Sequence, residues 1–346
     1  MLFKLKFIYK HMSNLRLVLI TATIVLAIVQ IFVIKRKNVV EKFLFKCATN
    51  KFENFIENKK KILKNKLGEY LKTSEISPVK QEYESYQSVC DQLKKWSLEI
   101  PEITEMVTYG KTVNGTDCNY LRIGTKDKPK VLVQSGLYGD EEYAILSTMN
   151  LIERMLSDYG KDEDINWIIE NRDIYFIPVL SPDTFLKSEK IEGYNPHISF
   201  PYPKRPNNAS PSPIKLVMGL MNQLKFKAVL CNHTFGENIY PPEICNKQDG
   251  DKICMLIDKM IGLNGYNTER IENANGSGTD VDWFYSAGSC SIKMMWGKKS
   301  RQYIDYGEIS PSLERNFKSI LLFMKEATEI ELHPMPLRTI YYYEAD

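Results

Sequence analysis

Several polar side chains fall where this chain turns out of apolar strands, and their types could bind a cation or move protons. Residues Val131 to Glu142 read as a β-branched strand ending at Gly136, a tight turn, and an amphipathic helix from about Glu142. The turn carries Tyr138, Asp140 and Glu141. A second apolar strand, Phe226 to Cys231, leads to His233, with Glu237 beyond Gly236. His197 lies in the loop before Phe200. Imidazoles and carboxylates ligate divalent cations and exchange protons in the range where proteins work. A phenol does both less well, since with a pKa of about 10 it must first lose its proton. For each loop residue, an ordinary solvated side chain is the alternative reading.

These residues need a scaffold, and the apolar pattern supplies one. Val107 to Thr116 and Asn119 to Gly124 read as paired strands joined at an Asn114-Gly115 turn. Further strands are expected at 130–134, 173–180, 226–231 and 291–296. Helices are expected from Glu142 and over 214–224, 253–263 and 309–330. In the first of these, Ile145, Met149, Ile152 and Leu156 follow a 4-3-4 spacing that buries one face. Helices alternating with short apolar strands predict an α/β fold, a mixed, mostly parallel sheet flanked by helices. In such sheets, sites form beyond the carboxyl ends of the strands.

The amino-terminal part differs in character. Residues 15–34 carry one charge, Arg16, and from Leu17 to Ile34 the polar residues are Thr21, Thr23 and Gln30. A run of roughly 20 apolar residues is long enough to span a bilayer as a helix. Val33 to Arg36 offers no small-residue cleavage site, so an uncleaved, single-pass anchor contacting membrane lipid is expected. Lysines and arginines flank both ends and leave the orientation open. Residues 1–14 read as a tail and 35–79 as a basic helical stalk, either attracted to anionic headgroups or merely solvated. The folded domain is expected over 80–332, with a second tail at 333–346.

Composition excludes little more. The chain has 346 residues, 43% of them hydrophobic, and a formal charge of +3, which names no partner by itself; nucleic acid is not expected. Its seven cysteines form no C-x-x-C pair, which argues against a zinc ribbon. Asn-x-Ser/Thr triplets stand at Asn114, Asn208, Asn232 and Asn275.

Several segments in order resemble the zinc carboxypeptidase family. Tyr109 to Gly115 is similar to its Gly-x-Ser-x-x-Gly hairpin, and Gly136 to Glu141 to its H-x-x-E turn, with Tyr138 in place of the histidine. Ile177 to Thr184 resembles its Ile-Pro-x-x-Asn-Pro-Asp-Gly segment, Ala228 to His233 the strand that delivers a zinc-binding histidine, and Asp280 to Tyr285 its Asp-Trp-x-Tyr segment. Ser291 to Gly297 resembles the final strand, where the catalytic glutamate falls on Met295. The resemblance spans about residues 80–330. It implies zinc held by Glu141 and His233, with Tyr138 at the third position, and a substrate carboxylate gripped near Arg205 and Asn207. Such a zinc activates water while a glutamate carries the proton. Met295 carries none, so zinc is expected to be weak or absent and catalysis impaired, unless His197 or Asp140 restores a ligand or Glu237 a base. The expectation is a membrane-anchored pseudoenzyme whose cleft binds a peptide or protein. The alternatives are an active carboxypeptidase or amidohydrolase with a rebuilt site, or a structural membrane protein.

Overall fold

The structure is a computed structural model, and it describes residues 83–187, 190–202, 204–205, 210–269, 276–298 and 306–334. All of them belong to one compact unit, Leu71–Asp346. Among the described residues no helix is long and apolar enough to cross a membrane. The expected span 15–34, the stalk and most of the tail from 335 lie outside them.

Seven strands form one mixed sheet: β1 (Thr104–Lys111), β2 (Asp117–Gly124), β3 (Lys130–Gln134), β4 (Asp173–Ile177), β5 (Ala228–Thr234), β6 (Asn238–Tyr240) and β7 (Cys290–Trp296), in the order β1-β2-β4-β3-β5-β7-β6. The four central strands, β4, β3, β5 and β7, run parallel, while β2 joins β4 and β6 joins β7 antiparallel. The β1–β2 hairpin turns through Gly115, whose φ of +85° suits a residue without a side chain.

Among the described residues seven α-helices accompany the sheet: α1 (Tyr86–Glu99), α2 (Glu142–Asp158), α3 (Glu163–Asn171), α4 (Ser212–Leu224), α5 (Lys247–Asn264), α6 (Asp280–Ser286) and α7 (Tyr306–Glu326). One face of the sheet carries α2, which packs on β5 and β7 and is itself covered by α7. Helix α2 therefore buries far more than one stripe, from Tyr143 through Met149 to Leu156. The opposite face buries Leu132, Tyr175, Val229 and Cys231 against Ile214, Val217 and Met221 of α4 and Val281, Trp283 and Phe284 of α6. At about 25 cal/mol per Å² of apolar surface, these two layers supply the main drive to fold.

Local chemistry explains most boundaries. Ser85 and Ser88 close a capping box on α1, and Asn246, its side chain accepting from the Asp249 amide, caps α5, whose first residue Lys247 precedes the expected start at Ile253. Helix α7 ends at Glu326 and the chain tightens into a single 3-10 turn, short of the expected 330. Strand β4 stops at Ile177, because Pro178 cannot donate to the ladder. Strand β5 runs to Thr234, past the expected end at Cys231, so His233 lies at the end of a fully buried strand. Helices α1, α3 and α6 and the short edge strand β6 were not anticipated from the apolar pattern.

Candidate functional site

The ends of strands β3 and β5 and the starts of helices α2 and α6 meet at His233. Successive residues of β5 face opposite sides of the sheet. Asn232 and Thr234 turn toward α2, where the Asn232 amide donates to Thr148 at 3.1 Å and the Ala144 amide to Thr234 at 3.3 Å. His233 turns the other way, toward α6. Glu141 stands at the cap position of α2, yet its carboxylate makes no cap; it reaches across to β5. Helix α6 begins behind Thr279, whose hydroxyl accepts from the Asp282 amide, and this places Asp280 in the first turn against the imidazole.

Both ring nitrogens of His233 are engaged. Nδ1 lies 3.0 Å from Glu141 Oε1 and Nε2 lies 3.0 Å from Asp280 Oδ2. Amides complete the carboxylates: the Tyr138 and Thr234 N–H groups donate to Glu141, the Val281 N–H and the Gln134 side chain to Asp280. All three charged residues are buried, with exposures of 0% for Glu141, 4% for His233 and 1% for Asp280. Burial by itself would lower the imidazole pKa, but the charges of Glu141 and Asp280 outweigh it and push His233 up to about 10. Burial likewise works against the charged form of Asp280, and the facing imidazolium overcomes it and holds that carboxyl below its ordinary range. At neutral pH the cluster is therefore an imidazolium clamped between two carboxylates, with both ring N–H groups donating. Beneath it the Cys231 thiol is driven upward by burial and by the charge of Asp280, so it stays a neutral thiol.

The other expected residues are placed as follows. The Tyr138 phenol donates to Asn195 Oδ1 at 3.0 Å, and the ring packs against the α4–α6 core cluster. Met295 is the register partner of His233 on β7 and lines a cavity of about 270 Å³. Glu237 ion-pairs with Arg315 of α7, so its carboxylate is committed to that helix by the guanidinium charge and does not join the His233 cluster. Arg205 is exposed on a small turn closed by backbone bonds to Tyr202, and Asn207 lies outside the described residues. His197 contributes backbone to the turn Pro196–Ile198.

The donor set does not fit a catalytic zinc. Such a metal takes three protein ligands and keeps a fourth position open. Here Glu141 and His233 offer two, and the third position is a phenol already bonded to Asn195. Among the described residues no group of three or more His, Cys, Asp or Glu is arranged to hold a metal. Asp280 and Gln134 were missed as members of the cluster. A glutamine closing the apolar run 131–133 is the signal that could have drawn attention to the first of their positions, since buried polar groups need partners.

Residues 89–209 match the family model described as zinc carboxypeptidase. Carboxypeptidase A2 of Rattus norvegicus is 24% identical over 108 residues, 31% of this chain and 26% of that protein. Metallocarboxypeptidase A of Trichophyton tonsurans is 30% identical over 107 residues, 30% of this chain and 25% of that protein. The matched stretch thus spans about a quarter of these relatives' length. In fold the chain is similar to the crystal structure of thrombin activatable fibrinolysis inhibitor, with a TM-score of 0.64 at 12% identity over 77% of this chain and 80% of that one. It is also similar to carboxypeptidase A from Helicoverpa armigera, with a TM-score of 0.61 at 17% identity over 82% and 87%.

Proposed function

We propose that this chain, whose residues 89–209 match the zinc carboxypeptidase model and whose fold is similar to that of solved carboxypeptidases, is a membrane-anchored, catalytically impaired member of that family that uses its cleft to bind a peptide or protein segment. The observation that carries this reading is His233, with both nitrogens occupied by buried carboxylates. Asp280 occupies one ring nitrogen and Glu141 the other, so the imidazole presents neither nitrogen to an open metal position. Met295 stands at the proton carrier's position and has no ionisable group. Losing a general base typically costs about 10² to 10⁴ in rate. What persists is a carboxypeptidase-like fold with a cavity beside Met295.

The anchor rests on the apolar length of residues 15–34, and lipid contact on that span and the basic stretch behind it. Resistance of the full chain to alkaline carbonate extraction is the expected result; release into the supernatant would remove the anchor.

Catalysis is tested by zinc content and by hydrolysis of a panel of peptides. The natural protein is expected to carry far less than one zinc per chain and to leave the peptides intact. Tyr138→His should raise bound zinc, because a neutral nitrogen donor replaces a phenol, without restoring turnover while Met295 remains. Zinc-dependent cleavage by the natural protein, abolished by Glu141→Ala, would overturn the proposal in favour of an active enzyme with a rebuilt site. A chain that binds no peptide would point to a structural role.

A further inference from the structure

The cavity beside Met295 has one feature that the His233 cluster does not use. Along β7, Lys293 and Met295 point to the α6 side, as Ser291 does where its hydroxyl donates to the Val281 carbonyl at 2.7 Å. Tyr240 of β6 is the register partner of Lys293, and its ring lies 5.4 Å from the Lys293 ammonium. Val281 of α6 closes another wall. The inner surface around Lys293 is therefore aromatic, aliphatic and thioether, with one half-buried cation, while Glu243 and Glu269 contribute the cavity's carboxylates.

The neighbouring carboxylates do not neutralise that cation by contact. Among the described residues Lys293 forms no ion pair. Asp280 is held by His233, Gln134 and the Val281 amide. Asp282 is buried in α6 with Oδ1 accepting from the Glu243 amide at 2.7 Å. Of the cavity's own two carboxylates, Glu243 is half-buried and Glu269 exposed. An ammonium half out of water attracts an opposite charge more strongly than one in bulk solvent, and it forms its strongest hydrogen bonds with a carboxylate.

We propose that Lys293 is the specificity determinant of the cleft: the cavity takes the acidic side chain of a bound peptide, with the carboxylate on the Lys293 ammonium and the methylene stem against Met295, Val281 and the Tyr240 ring. Exposed Glu269 disfavours a second acidic residue beside the first, so an isolated acid in the ligand is selected over an acidic run. This inference rests on the peptide-binding reading above and narrows it to a ligand class.

Titration calorimetry on the purified full chain tests it, with peptides differing at one position, Glu, Gln or Lys, and with glutarate as a minimal probe. The Glu peptide is expected to bind at least tenfold tighter than the Gln peptide. Lys293→Met should erase that difference, and Lys293→Glu should transfer the preference to the Lys peptide. Circular dichroism verifies folding of both variants; if Lys293→Glu does not fold, Lys293→Met carries the test. Equal binding of Glu and Gln peptides, or a difference that survives Lys293→Met, overturns the inference and leaves peptide binding standing. Glutarate binding that depends on Lys293, without binding of any peptide, upholds the cavity's chemistry and overturns the peptide reading. Binding of neither overturns both.

Discussion

A buried imidazole between two buried carboxylates has to stay protonated, and its removal leaves their charges exposed to a dry interior. His233→Ala would strand Glu141 and Asp280, 0% and 1% exposed. Breaking a buried pair by removing one partner typically costs about 3–5 kcal/mol. Replacing all three together, as His233→Leu with Glu141→Gln and Asp280→Asn, should cost less than His233→Ala alone, because no charge remains to be solvated. Urea unfolding of the three proteins checks the order. The pH dependence follows from the same contacts. The raised pKa of His233 contributes stability fully below the unfolded imidazole value of about 6.5, and that contribution drains away as pH climbs toward about 10. The depressed pKa of Asp280 contributes above the ordinary carboxyl range and is lost as pH falls through its folded value. Unfolding midpoints from pH 6 to pH 10, a range of about 4 units chosen to cover the imidazole titration, should decline in the natural protein. They should stay flatter in His233→Ala. Parallel profiles would show that the imidazolium contributes nothing.

The element that aims Glu141 is the turn between β3 and α2, and it is held by close approach. Ser181 donates its hydroxyl to the Leu137 carbonyl at 2.7 Å, and the Leu186 amide donates to the Gly139 carbonyl at 2.8 Å. A Cβ on Gly139 would stand 1.5 Å from the Thr184 carbonyl oxygen, which is backbone and cannot swing away. Gly139→Ala must therefore displace the turn, at a cost of about 1–3 kcal/mol or more, and carry Tyr138 and Glu141 with it. Gly262 in α5 makes the opposite case: its position is exposed and an added Cβ meets nothing within 4 Å. Gly262→Ala should stabilise by about 0.5–1 kcal/mol, the ordinary cost of glycine within a helix. Thermal unfolding of the two variants should move in opposite directions, and a neutral Gly139→Ala would mean that the turn has room the geometry denies it.

Across the whole molecule, protection should follow the layers. Strands β4, β3 and β5 lie inside the sheet, and β5 is buried along its full length. Edge strand β1 has one hydrogen-bonded neighbour and a mixed burial pattern. Hydrogen exchange is expected to be slowest in β3 and β5 and faster along β1; β1 exchanging as slowly as β5 would count against the layer order. Sequence by itself determined the alternation of apolar strands with amphipathic helices, and hence the α/β class, because burial periodicity is a local property. It also placed Tyr138, Glu141, His233 and Met295 in one family-like frame, since that resemblance is carried by short motifs in order. Helix caps and a three-residue edge strand escaped the apolar pattern, being set by hydrogen bonds rather than by burial. Tertiary structure alone decided that Asp280, 47 residues along the chain, closes on His233, that Glu237 is drawn off to Arg315, and that Lys293 looks into the cavity beside Met295. Those pairings join residues distant in sequence through the order in which parallel strands stack, and no local period encodes that order.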